Sequence, residues 1–165
     1  MHSPDLLAIP DTAQLVRVGS RLVIAIFIGA LIGIQRELTH KPAGLRTHML
    51  VALGTALVVV TAAEAGMSSA ELSRIIQGVI TGIGFLGGGA ILKLTAEHQI
   101  HGLTTAAGIW MTAAAAAAAG LGQPVIALLG VVLGLLILGA CVKLEKWLGE
   151  RVSRDATDRR PPDRP

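Results

Sequence analysis

Residues 22–34 read LVIAIFIGALIGI, an unbroken apolar run inside a segment from 18 to 35 that Arg36 and Glu37 close. About 20 mostly apolar residues carry an α-helix across the hydrocarbon core of a bilayer. The stretch is therefore a first membrane span, and it sets the scale for the rest of the chain. Four more segments match it: 49–65, 75–94, 102–121 and 125–142. The last holds no charge. The second is short and has Glu64 near its end, which predicts that Glu64 faces protein or the membrane interface. The third and fourth carry Gln77, Thr81, Thr104, Thr105 and Thr112, whose polar groups partner helices must shelter.

Composition agrees. Of 165 residues, 52% are hydrophobic and 15% charged, where a soluble domain carries about 25% charge. Neither an ordinary soluble globule nor a disordered chain fits. A single cysteine excludes an intramolecular disulfide framework and a multi-cysteine zinc site. Cys141 reads as a small packing residue. A net charge of +3 is too weak for a nucleic-acid partner. Asp5 and Asp11 precede Arg17, which argues against a cleaved signal peptide.

Five spans put the termini on opposite faces. With the N-terminus outside, eleven basic residues fall inside and three outside. The positive-inside rule then favours N-out, C-in. The expected fold is an all-α polytopic membrane bundle of about five helices. Residues 1–17 form an extracytoplasmic segment and 18–142 the transmembrane domain. Residues 143–165 are polar and rich in proline and mixed charge, and are expected to be a disordered cytoplasmic tail.

Residues 82–87, GIGFLG, match a dinucleotide-binding pattern, but no strand–turn–helix unit surrounds them. In a membrane, glycines let helix backbones approach closely. Gly82, Gly84, Gly87, Gly88 and Gly89 in the third span, with Gly29 and Gly33 in the first, suit packing inside one bundle or across a homodimer. Glycine is a poorer helix former than alanine by about 1 kcal/mol. The triple glycine at 87–89 therefore predicts a break or kink beside a polar cavity.

The loop after the first span reads QRELTHKPAGLRTH, residues 35–48. It brings Arg36, Glu37, Arg46, Thr47 and His48 to the cytoplasmic side. The third loop lies on the same side with Lys93, Glu97, His98 and His101, followed by Thr104 and Thr105. Two readings stand: charges that fix topology, or a polar cluster at the mouth of the bundle. No Cys/His or His-Glu-x-x-His spacing supports a transition-metal site. Magnesium prefers oxygen ligands and keeps its waters. Glu37, Thr104 and Thr105 could contact it only from outside, so no cofactor is assigned. No nucleophile with a supporting base is present, and no enzyme activity is expected.

Three blocks carry a resemblance: GALIGIQRELTHKPAGLRTHMLVALGTAL at 29–57, RIIQGVITGIGFLGGGAIL at 74–92 and HGLTTAAGIWMTAAAAAAAG at 101–120. In this order they resemble the MgtC/SapB family of bacterial membrane proteins over roughly residues 20–140. The resemblance implies a multi-pass inner-membrane protein with a cytoplasmic C-terminus. It implies a link to growth in low magnesium, survival in acid and in macrophages, and restraint of the proton-driven ATP synthase. The family's charged motif maps onto Arg36, Glu37, Gly44, Leu45, Arg46, Thr47 and His48. Two departures stand out. Gln35 replaces a common glutamate, and about 20 polar residues follow the last span where virulence-linked members carry a soluble domain. The chain is thus similar to the short form.

The functional expectation is a non-enzymatic regulator of magnesium or proton homeostasis and stress adaptation. Its partners would be the lipid bilayer, a second copy, or a membrane complex such as the ATP synthase. The alternative is a small magnesium or proton transporter, for which ionisable groups near the midplane would be needed.

Overall fold

A computed structural model describes residues 11–94 and 99–158. The expectations placed on 1–10, on Glu97 and His98, and on 159–165 lie outside the described residues. Five helices dominate: α1 (Thr12–Leu38), α2 (Leu45–Glu64), α3 (Ser69–Gly89), α4 (Leu103–Gly120) and α5 (Pro124–Asp158). Between α3 and α4 lies a short antiparallel hairpin, β1 (Leu92–Leu94) with β2 (Gln99–His101), pairing Lys93 with Ile100. The fold is the expected all-α bundle. The chain forms two compact units, one ending at Val131 and one beginning at Val132.

The first unit holds α1 to α4 and the start of α5. Asp11 caps α1 by accepting from the Gln14 N–H at 2.6 Å. Ser68 and Glu71 form a reciprocal capping box at the start of α3. In lipid no hydrophobic drive pulls helices together, so close backbone approach must do it. Gly29 and Gly33 provide it. A methyl group added to Gly29 would lie 2.5 Å from the His48 carbonyl, and one added to Gly33 would lie 2.7 Å from Leu45 Cα. Ala25, Ala52 and Ala56 continue this seam, fully buried. α4 closes on α2 through Gly120, where an added methyl would sit 3.1 Å from Val59.

α3 packs on α4 through Ile83, Ile109 and Ala113. The two run antiparallel: Ile76 shares a groove with Leu121, and Gly87 lies near Ala106 at the other end. Most α3 glycines meet nothing. Gly82, Gly84, Gly88 and Gly89 have open space where a side chain would stand.

α1, α2, α4 and the segment Pro124–Cys141 of α5 are long and apolar enough to cross a membrane. α3 opens with a polar turn carrying Glu71 and Arg74, and its apolar part begins at Ile75. It runs antiparallel beside α4. The expected third span reached residue 94, but the helix stops at Gly89. The Ala90 N–H is shared between the Leu86 and Gly87 carbonyls, and the chain then turns into β1. Three glycines give the helix little reason to continue.

At the end where α1 begins, Glu64 is held by Arg21 at 3.5 Å, Arg17 at 3.6 Å and the Gln14 amide at 3.2 Å. Arg21 also donates to the Gly120 carbonyl at 3.3 Å. Glu64 therefore faces protein, as its position in an apolar segment demands.

In the second unit α5 continues as helix to Asp158. This corrects the expectation of a disordered tail over residues 143–158. Before Pro161 that stretch has one glycine and no proline, and Glu150 and Arg154 stand at helical i, i+4 spacing. Local propensity outweighs polarity there.

Candidate functional site

The site lies at the bundle end opposite Glu64, where α1 finishes and α2 and α4 start. Gly29, Gly33 and Arg36 share one face of α1, at spacings of four and three. The two glycines bring α2 so close that the residue after them on that face is enclosed. Arg36 is only 3% exposed. Its Nη2 donates to the Thr105 hydroxyl at 2.8 Å, and its Nε has no hydrogen-bond partner among the described residues. Among the described residues no carboxylate pairs with it.

His48, on the first turns of α2, is fully buried. Its backbone lies against Gly29 and its ring against Gly108 of α4, where an added methyl would fall 3.5 Å from Cε1. Its Nδ1 is 2.7 Å from the Thr112 hydroxyl. That hydroxyl also stands 2.9 Å from the Gly108 carbonyl. Which of Nδ1 and the hydroxyl donates to the other depends on the ring's tautomer. The His48 Nε2 is buried without a hydrogen-bond partner among the described residues. Gln35 Oε1 is in the same condition.

Glu37 has a different task. Its carboxylate accepts from the Leu45 N–H at 3.1 Å and so caps α2. Gly44 leaves room for this, since a side chain there would collide with Glu37 Oε2. The connecting loop turns through positive φ at His40 and Ala43. α4 has no such cap. Its N-cap is Gly102, at φ 96° and pressed against the Ala90 carbonyl, and among the described residues no side chain accepts from its first turn.

An open cleft of about 540 Å³ lies here. Thr47, His101, Gly102 and Thr105 give it polar groups, while Val51, Phe85, Leu86 and Ile109 give it apolar walls. Gly89 also lines it, at the point where α3 stops. Of the residues singled out in the sequence, Arg36, Thr105, Thr47 and His101 thus gather at or behind one cleft. Arg46 and Thr104 are exposed and make no side-chain hydrogen bond or ion pair among the described residues. Gly87 packs near Ala106. Among the described residues no three His, Cys, Asp or Glu side chains converge.

Thr112 and Gly108 were not singled out as part of the site. Their signal is positional: Thr105, Gly108 and Thr112 recur at intervals of three and four, one face of α4.

The MgtC family model matches residues 22–147. Protein SrpB of Synechococcus elongatus is 41% identical over 147 residues, covering 81% of each chain. YhiD of Escherichia coli K12, named as a candidate magnesium transporter, is 39% identical over 125 residues, 72% of this chain and 57% of that one. Protein MgtC of Salmonella typhimurium LT2 is 39% identical over 102 residues, 62% of this chain and 42% of that one. The chain thus spans about half the length of the latter two. No solved structure matches the chain. The family match embraces α2, α3, α4 and most of α1, including every residue of the Arg36–Thr105 and His48–Thr112 contacts: this chain belongs to the MgtC family.

Proposed function

We propose that this chain is a non-enzymatic regulator of magnesium- or proton-linked ion homeostasis in the bacterial inner membrane, acting by binding another membrane complex. The observation that carries this reading is the buried Arg36 at the bundle end, which pairs with no carboxylate among the described residues. A magnesium path wants oxygen ligands, usually acidic, and a cation already seated at its mouth repels another. Glu37, at the same end, is used to cap α2. The open glycine face of α3 offers a smooth surface for a second copy or for a complex such as the ATP synthase.

The test is ion flux in proteoliposomes loaded with a magnesium-sensitive dye, with and without a proton gradient. The regulator gives no saturable flux, and in membranes a photo-crosslinker placed at Gly82 captures a partner. Saturable flux that Glu37→Gln abolishes makes the protein a transporter instead. The feature favouring that second reading is the cleft of about 540 Å³ where α3 stops.

A further inference from the structure

Two helices begin at the Arg36 end of the bundle, and they are treated differently. The α2 N-terminus is capped by the Glu37 carboxylate. The N–H groups of Leu103, Thr104 and Thr105 at the start of α4 find no acceptor among the described residues. Such a terminus carries about half a positive charge and free donors aimed along the axis. By itself this is an ordinary exposed helix end. Directly behind it, however, lies the Arg36 guanidinium, 3% exposed and, among the described residues, with its Nε unpartnered and one hydrogen bond, to Thr105. Thr105 accepts that bond, so its own hydroxyl hydrogen is still free to donate. Buried charge without a counter-charge is not a stable resting arrangement unless something anionic completes it.

We propose that the cleft between the α1–α2 loop, the end of α3 and the start of α4 binds a phosphate group. The group is held by the free N–H groups of α4 and the Thr105 and Thr47 hydroxyls, with Arg36 behind Thr105 as the counter-charge. Helix N-termini backed by a guanidinium suit a tetrahedral oxyanion. The rest of the cleft suits a phospholipid, because Val51, Phe85, Leu86 and Ile109 offer apolar wall to the carbons beyond a headgroup phosphate. Arg36 lies in the last turn of α1, a helix long and apolar enough to cross a membrane, and the ends of such a helix come to the level of the lipid headgroups. A free phosphate would use the same donors. The inference does not depend on whether the protein regulates or transports.

The test uses the full chain in maltoside micelles, which contain no phosphate. Amide resonances are followed while inorganic phosphate or dihexanoylphosphatidylglycerol is added at constant ionic strength. The expected result is a saturable shift confined to Leu103, Thr104, Thr105 and their cleft neighbours. Response to the lipid alone identifies a headgroup site, and response to both identifies a phosphate site open to solution. Arg36→Gln should weaken binding at least tenfold. Should that variant fail to fold, Thr47→Val, at an exposed position, should weaken it several-fold with the spectrum otherwise unchanged. Absence of a saturable shift at these amides with either probe overturns the proposal. So does wild-type affinity in a folded Arg36→Gln or in Thr47→Val.

Discussion

Arg36, near the end of α1, donates to the hydroxyl of Thr105, in the first turn of α4, 2.8 Å away and 69 residues on in the chain. At the far end of the same helix Arg21 donates to the Gly120 carbonyl, the last residue of α4. The first helix is thus fastened to the fourth at both ends by arginines, although α2 and α3 intervene in sequence.

Removing the hydroxyl from the Arg36 contact leaves a buried cation without a hydrogen bond. Thr105→Val should destabilise the protein by about 1.5–3 kcal/mol, the range for hydrogen bonds to charged groups. Thr104→Val, one residue away and exposed, should stay within about 0.5 kcal/mol. Chemical denaturation in micelles, read by circular dichroism, measures both.

The glycines of α1 and α3 should behave in opposite ways. Gly33→Ala puts a methyl 2.7 Å from Leu45 Cα and Gly29→Ala one 2.5 Å from the His48 carbonyl. Each should lose about 1–3 kcal/mol as α1 and α2 are forced apart. Gly82→Ala meets nothing within the chain, so it should gain about 0.5–1 kcal/mol from helix propensity. Equal losses at all three would mean that the α1–α2 crossing is not the tight one.

His48 and Thr112 should be energetically coupled. Thr112→Val leaves the Nδ1 of a fully buried ring unpaired and should cost about 1–3 kcal/mol. In His48→Phe the same Thr112 change should cost much less. A double-mutant cycle should return a coupling of about 0.5–3 kcal/mol, and a value near zero contradicts the contact.

Ahead of the apolar part of α3, the Ser68 hydroxyl and then the Ser68 N–H hold the Glu71 carboxyl below its ordinary value. Its folded value is therefore below its unfolded one. The contribution of the capping box is present above the unfolded value and is lost as pH falls through the folded one. Carboxyl carbon shifts should show Glu71 titrating at lower pH in the wild type than in Ser68→Ala, and the first turn of α3 fraying as it protonates.

Much of this was legible in the residues. Apolar runs of spanning length located the helices, and the glycine pairs of α1 marked where a neighbour comes close. The charged loop after α1 pointed at Arg36 and His48 because charge beside a membrane span needs a reason. Spacing could not say which of those residues turns inward. Arg36 and Arg46 look alike in sequence, yet one is buried and the other exposed, a difference set by the α1–α2 crossing. Glu37 looked like a cation contact and is a helix cap, because only the turn through Ala43 and Gly44 brings Leu45 back to it. Residues 143–158 are polar and still helical, because local helix propensity prevails there.

The seat of α3 has a consequence for how the chain is made. Its apolar contact is with Ile109 and Ala113 of α4, which the ribosome adds only after α3 itself is complete. The α1–α2 seam, by contrast, is between helices adjacent in the order of synthesis. A nascent chain can therefore close its first hairpin at once, while α3 finds only part of its seat, against Val51 of α2, before α4 is made. The seat of α3 is complete only once Ile109 and Ala113 of α4 have been added.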